Sequence, residues 1–122
     1  MDNIKKENPL KEKSYTFAIR IIKLYQFLTQ EKKEFVLSKQ LLRSGTAIGS
    51  MIEEANQAES KLDFIHKLSI ANKEANETRY WLRLLQDTQY LEEKISTSLI
   101  NDCEELIKLL ISIIKTTKNN LQ

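Results

Sequence analysis

The side chains that most often bind metals or act as nucleophiles are scarce in this sequence, which has one histidine, His66, and one cysteine, Cys103. A di-iron centre in a helical bundle takes a Glu-x-x-His motif from each of two helices and two further carboxylates. Asp63 and His66 supply an imperfect half of such a set, so we expect His66 to be a surface or interfacial residue. Cys103 falls on an apolar helical stripe, where a thiol behaves as a small hydrophobic group rather than an activated thiolate. We therefore expect no metal, no other cofactor and no catalytic residue.

Neighbouring carboxylates are the second set with possible chemistry, since paired carboxylates can carry out acid–base catalysis. Glu53 and Glu54 are adjacent, and Glu74 and Glu77 lie about one helical turn apart. The sequence has no phosphate-binding loop and no dinucleotide-binding motif beside them. We expect Glu53 or Glu54 to bridge to a basic residue of a neighbouring helix, with Arg43 as the suggested partner, and we expect that the protein is not an enzyme.

Basic and polar residues form the pattern with the clearest functional meaning. Arg20 and Lys23 lie in a segment without acidic residues between Ser14 and Gln30. A later segment has a face that is free of acids and able to contact phosphates, made of Ser69, Asn72, Asn76, Arg79, Arg83 and Gln86. Two interpretations stay open: these residues bind nucleic acid, through Arg79, Arg83, Arg20 and Lys23, or they belong to a solvated surface with scattered salt bridges. Because the net charge is only +2, binding would need a local patch of positive charge.

The elements that position these residues are helices. Two glycines and one proline in 122 residues leave few tight turns, and the long periodic segments are rich in helix-forming residues. We predict a single domain over residues 1–122 with the all-α fold of an antiparallel up-down-up-down four-helix bundle. The predicted helices cover residues 9–30, 35–57, 60–90 and 95–118, with frayed termini. Asn8 and Pro9 start the first helix, and Ser14 is a later alternative start. No apolar run is long enough to span a membrane and the N-terminus is not a secretory signal, so we expect a cytoplasmic protein.

Apolar residues at alternating spacings of three and four define the inward face of each helix. In the second helix this face passes through a run of small residues that includes Gly45 and Gly49. Since a glycine inside a helix costs about 1 kcal/mol relative to alanine, we expect another helix backbone to pack closely over them. Ser60 and Asp63 resemble a capping box that starts the third helix. The predicted inward residues are Phe17, Ile21, Leu24 and Leu28; Leu37, Leu41, Ser44 or Gly45, Ile48, Ile52 and Ala55; Phe64, Leu68, Ala71, Ala75, Thr78, Leu82 and Leu85; and Leu99, Cys103, Leu106, Leu110 and Ile113.

The third helix carries a second row beside its inward face, to which Ile70, Trp81 and Leu84 belong. These residues provide more apolar surface than one neighbouring helix can cover. A tryptophan on a secondary face is large enough to anchor an interface, and it can equally pack under another helix of the same chain. We predict self-association through Ile70, Trp81 and Leu84.

Several separated segments resemble the bacterial 23S rRNA intervening-sequence family. They are KSYTFA at residues 13–18, FVLSKQLLRSGTAIG at 35–49, KLSIA at 67–71, and EA followed by ETRYWL within 74–82. The resemblance implies a cytoplasmic bacterial four-helix bundle that assembles into a ring, usually a homopentamer, and that is suspected of binding nucleic acid. In that family some members are encoded inside insertions in large-subunit rRNA genes. A related branch is the accessory protein of diversity-generating retroelements, which binds a reverse transcriptase and its RNA.

The residues and the resemblance together lead to one functional hypothesis and one alternative. The hypothesis is a non-enzymatic oligomeric bundle that binds structured RNA or an RNA–protein complex, such as a reverse transcriptase complex, through a basic surface. Symmetry would multiply a modest basic patch, which strengthens binding through effective concentration and counterion release. The alternative is a scaffold that docks a partner protein without nucleic acid.

Overall fold

The structure is a computed structural model that describes the backbone of residues 2–121 and the side chains of residues 9–121. Within these residues, four α-helices follow one another: α1 (Asp2–Gln30), α2 (Leu37–Ala55), α3 (Lys61–Asp87) and α4 (Glu93–Asn119). Helices α1 and α3 each pack against α2 and α4, so every helix has two neighbours. The predicted all-α up-down bundle is confirmed. No helix in the described part of the chain is long and apolar enough to cross a membrane.

The core lies between the four inward faces that the spacing of apolar residues predicts. All the predicted inward residues are buried except Leu37 and Phe64, which are half-buried. Ser38 and Ile65 are buried next to them instead. The spacing of apolar residues therefore predicts the core correctly except near the starts of α2 and α3.

Gly45 and Gly49 lie where α1 packs against α2. The predicted approach of another helix backbone is found at Gly49, whereas the close neighbour of Gly45 is a side chain. A Cβ atom at Gly45 would lie 2.9 Å from both Cγ atoms of Ile21. A Cβ atom at Gly49 would lie 3.5 Å from the backbone oxygen of Ser14. The two helices thus approach closely at both glycines, and at Gly45 the space left is too small for a methyl group.

Helix α2 starts at a buried carboxylate. Glu34 is 8% exposed and accepts backbone N–H groups of Val36 at 3.1 Å, Leu37 at 2.9 Å and Ser38 at 2.6 Å. These are groups that a helix start otherwise leaves without partners. Burial opposes ionisation of Glu34, but the hydrogen bonds from Leu37, Ser38 and Val36 outweigh it and hold the pKa of this carboxyl below its ordinary value. The sequence places Glu34 in a run of charged residues, so this cap was not predicted.

Helix α1 begins at Asp2, so the predicted start at Asn8 and Pro9 was wrong. Proline is common at helix starts because it lacks a backbone N–H, and inside a helix it removes a hydrogen bond and its ring crowds the preceding turn, so the sequence pointed to a start at Pro9 rather than to a helix that passes through it. The prediction that the termini fray also covers Met1 and Gln122, which lie outside the described residues.

Helix α3 begins as predicted and ends earlier than predicted. The Ser60 hydroxyl accepts the backbone N–H of Asp63 at 3.0 Å, which confirms the cap. The helix ends at Asp87 because Gln89 has a φ angle of 67°. The backbone N–H of Tyr90 donates to the carbonyl of Leu85 at 3.0 Å, one of the two bonds of a Schellman motif. Glycine usually marks such an end, and since this one has glutamine, the sequence prediction extended the helix to residue 90.

Candidate nucleic-acid interface

The four cations predicted to bind nucleic acid lie on two sides of α4. Arg79 forms an ion pair with α4, which places Arg79 and Arg83 on the α4 side of α3. Arg20 lies on the opposite side of α4, at its contact with α1. Lys23 follows one turn later on α1 and is exposed. The structure therefore brings Arg79 and Arg83 together and separates them from Arg20 and Lys23.

Arg20 is held by acceptors on α4. Its Nη1 atom donates to Oδ2 of Asp102 at 2.5 Å and lies 3.2 Å from the hydroxyl of Ser98. Because this carboxylate already compensates much of the positive charge, a phosphate would have to compete with Asp102 for Arg20. Lys23 has no ion pair or hydrogen bond from its side chain to any other residue in the range 9–121.

Arg79 is also paired, whereas Arg83 is not. The guanidinium of Arg79 lies 3.7 Å from the carboxylate of Glu104 and donates to Oδ1 of Asn76 at 3.2 Å. Gln86, at the end of the same face, donates to a hydroxyl of α4 at 2.7 Å. Arg83 is exposed, and its side chain has no ion pair or hydrogen bond to the described residues. Of the two arginines on this side, Arg83 is the one available to a phosphate.

A groove of about 440 Å³ lies between the first half of α3 and the second half of α4. The two lysines that line this groove, Lys115 and Lys118, are exposed, and their side chains have no ion pair within the described residues. The lining residues, none of them acidic, are Ser69, Asn72, Ile111, Ile114, Lys115, Lys118 and Asn119. Sequence reasoning found Ser69 and Asn72 but missed the lysines, because it considered each helix alone.

The charge along α4 changes from mixed to positive. Asp102, Glu104 and Glu105 each form an ion pair with a cation of α1 or α3. Residues 106–122 contain three lysines and no acidic residue. The second half of α4 is therefore the part of this helix best suited to attract an anion.

The sequence pattern of the 23S rRNA-intervening sequence protein family matches residues 6–112. The chain belongs to this family. The resemblance seen in the separated sequence segments is thereby confirmed. The matched range includes all four cations predicted from the sequence, and it ends before the two lysines of the groove.

A solved structure of a similar protein shows the same fold. It is the crystal structure of a protein of unknown function from the S23 ribosomal protein family of Bacteroides thetaiotaomicron. The two proteins share 60% sequence identity with a TM-score of 0.89, over 90% of this chain and 98% of that chain. No curated protein matches the chain. Family and fold are thus shown.

In this family member, the carboxylates considered for acid–base chemistry form ion pairs. Glu53 pairs with Lys11 of α1 at 3.7 Å, and Glu54 pairs with Lys67 of α3 at 3.2 Å. The predicted bridging to neighbouring helices is confirmed, but the suggested partner was wrong. Arg43 contacts two carboxylates of α3 instead, because it lies on the same helix as Glu53 and Glu54 and faces α3.

The three residues predicted to form a subunit interface, Ile70, Trp81 and Leu84, are half-buried within the chain. Trp81 packs against the core, and its indole N–H donates to Glu77 at 3.0 Å. Its ring meets that of Tyr80 edge-on, with centroids 5.3 Å apart. Trp81 is therefore anchored at the edge of its own bundle, and Tyr80, which is 53% exposed, extends the aromatic surface outward.

Cys103 and His66 occupy the positions expected of structural and surface residues. Cys103 is buried with its Sγ atom 3.1 Å from the carbonyl oxygen of Ala75, and burial raises the pKa of this thiol to about 12. The thiol therefore stays protonated and unreactive. His66 is exposed near the start of α3. Among the side chains that the structure describes, no three metal-binding groups lie close enough together to hold a metal ion.

Proposed function

We propose that this protein binds structured RNA, alone or within an RNA–protein complex, and that it does not catalyse a reaction. The observation that carries the proposal is the surface made by α3 and the second half of α4, which we name the α3–α4 face. Lys115 and Lys118 are exposed in its groove, which no carboxylate lines, and Arg83 is exposed farther along α3, beside the first half of α4. Such cations bind phosphate oxygens and release counterions with little dependence on base sequence. The description of the family names 23S rRNA, which makes a structured RNA the ligand to test.

The paired arginines have a secondary role in this proposal. Arg79 adjoins the α3–α4 face and contributes once a phosphate competes with Glu104 for its guanidinium. Arg20 and Lys23 take part when the RNA extends across α4 onto α1. The ranking of the two arginines follows from the carboxylates beside them, and Lys23 is grouped with Arg20 because it lies on α1.

We further propose that several copies assemble, and the homopentameric ring that the sequence resemblance implies is the assembly to test. Support comes from Tyr15, Ile19 and Ile22 of α1, which follow helical spacing and are 67%, 41% and 42% exposed. Contiguous exposed apolar surface marks interaction sites on soluble proteins. An assembly would present several α3–α4 faces to one RNA, and the resulting effective concentration would offset the small net charge of +2 per chain.

The test is a salt titration of RNA binding with two matched variants. The wild-type protein, freed of nucleic acid, should bind a structured RNA with an affinity that falls steeply as salt rises. Replacing Arg83 and Lys115 by glutamate should weaken binding by roughly tenfold or more at low salt. The control variant replaces Lys33 and Lys39 by glutamate, because these lysines are also exposed and lack ion pairs within the described residues.

The control changes the net charge by the same amount and should leave the affinity nearly unchanged. Equal losses in the two variants would refute the α3–α4 face as the binding surface. Absence of RNA binding by the wild-type protein even at low salt would refute RNA binding itself.

A protein-docking scaffold is the second candidate, favoured by the segment before α2. Phe35 and Val36 there are 60% and 72% exposed. If the protein is a scaffold, one host protein should copurify with it after nuclease treatment. That host protein should no longer copurify when both residues are replaced by serine. That result, combined with no RNA binding at low salt, would favour the scaffold over the RNA-binding function.

A further inference from the structure

The groove of the α3–α4 face contains an apolar surface that phosphate binding does not require. Ile111 is 51% exposed, and Ile114 beside it packs against the core. Lys115 and Lys118 line the same groove, together with an asparagine from each helix. Because leaving apolar surface in water is unfavourable, the combination of exposed isoleucine with unpaired cations suggests an occupant that is both apolar and anionic.

We propose that this groove binds one unpaired nucleotide of the RNA, with its base against Ile111 and Ile114 and its phosphate at Lys115 and Lys118. The inference rests on the proposed RNA-binding function. The groove volume of about 440 Å³ falls in the range of roughly 300–1,000 Å³ typical of small-molecule sites. The asparagine amides carry both donors and acceptors, which is what the edge of a base needs.

The charge of the lining favours a nucleotide over a segment of protein. An apolar peptide would cover the isoleucines but would leave Lys115 and Lys118 without a counter-charge. The exposed apolar side chain of Ile111 favours an unpaired nucleotide over a paired one. In an RNA duplex the bases are stacked inside the helix, whereas a base in a loop or bulge can turn outward and lie on a protein surface.

The test uses two blunt RNA duplexes with the same number of phosphates, in one of which two bulged adenosines replace a base pair. The wild-type protein should bind the bulged duplex about fivefold or more tightly than the paired one, because only an unpaired base can cover the exposed isoleucine. Ile111→Ser should remove this preference and leave binding of the paired duplex intact. Ile95→Ser is the matched control, because Ile95 is an isoleucine of α4 that is 44% exposed and lies outside the groove. Circular dichroism establishes that both variants keep their helices.

The outcomes separate this inference from the proposed function. Equal affinity of the wild-type protein for the two duplexes, or a preference that survives Ile111→Ser, overturns the nucleotide site while the proposed RNA binding stands. No binding of either duplex at low salt overturns both. A change in subunit number in Ile111→Ser, measured by light scattering, would show that the groove is an interface between copies and would refute the nucleotide site.

Discussion

Replacing Gly45 by alanine tests the closest helix contact in the bundle. The added Cβ atom would lie 2.9 Å from the Cγ1 and Cγ2 atoms of Ile21 and 3.3 Å from its Cβ atom. Ile21 is fully buried, and a β-branched side chain in a helix has one strongly preferred rotamer. The contact cannot be relieved by rotating the side chain, so the helices must move apart. Overpacking of this kind costs about 1–3 kcal/mol.

Gly49→Ala is the matched control, because it lies one turn away on the same helix. Its Cβ atom would lie 3.5 Å from the backbone oxygen of Ser14, an ordinary van der Waals distance. Alanine is favoured over glycine inside a helix by about 1 kcal/mol. We therefore expect Gly49→Ala to stabilise by about 1 kcal/mol, and Gly45→Ala to be neutral or to destabilise by up to about 2 kcal/mol. The helix propensity cancels between the variants, so their difference of about 1–3 kcal/mol reports packing alone.

Urea unfolding at one fixed protein concentration measures both variants, since self-association would make stability depend on concentration. The Ile21→Ala substitution removes both clashing Cγ atoms. In that background Gly45→Ala should therefore stabilise the protein. Equal stability of Gly45→Ala and Gly49→Ala would refute the argument. A Gly45→Ala effect that is unchanged by Ile21→Ala would refute Ile21 as its cause.

Other features of the bundle give predictions with separate measurements. Glu34→Ala should lower the free energy of unfolding by about 1–3 kcal/mol, because backbone N–H groups at the start of α2 lose a buried acceptor. Because the pKa of Glu34 is lowered in the folded protein, ionised Glu34 stabilises the fold fully above pH 4.5, the ordinary value. This stabilisation is lost as the pH falls through the lowered pKa. The stability of the wild-type protein should therefore fall more steeply with pH below 4.5 than the stability of Glu34→Gln. Gln89→Gly should stabilise by about 1 kcal/mol, because glycine adopts a φ of 67° without steric cost; an unchanged unfolding midpoint would contradict this. The Cys103 thiol, with its pKa raised to about 12, should react with a thiol reagent only as fast as the protein unfolds.

The sequence was sufficient for the core because burial in a helix repeats with the helical period. The close approach at Gly45 was also predictable, since small residues on an inward face have little other use. The helix ends were less predictable where they depend on a single residue just outside the helix. Glu34 caps α2 from outside the helix, and Gln89 ends α3 in a conformation that glutamine does not signal. Neither feature has a pattern of residue types that marks it in advance.

In the candidate site, whether a cation is available to a phosphate depends on the neighbouring helix as well as on the cation's own helix. The spacing of Arg79 and Arg83 on α3 correctly places them on one face, but the availability of each depends on the helix packed against that face. Glu104 of α4 pairs with Arg79 and leaves Arg83 free, and Asp102 holds Arg20 on the other side. The same helix supplies the lysines that a phosphate can reach, because its acidic residues end at Glu105. The affinity for RNA should therefore depend more on the second half of α4 than on the arginine pattern of α3. The single variant Lys115→Glu examines that consequence directly, because it should account for a substantial part of the loss of affinity in the variant that replaces both Arg83 and Lys115.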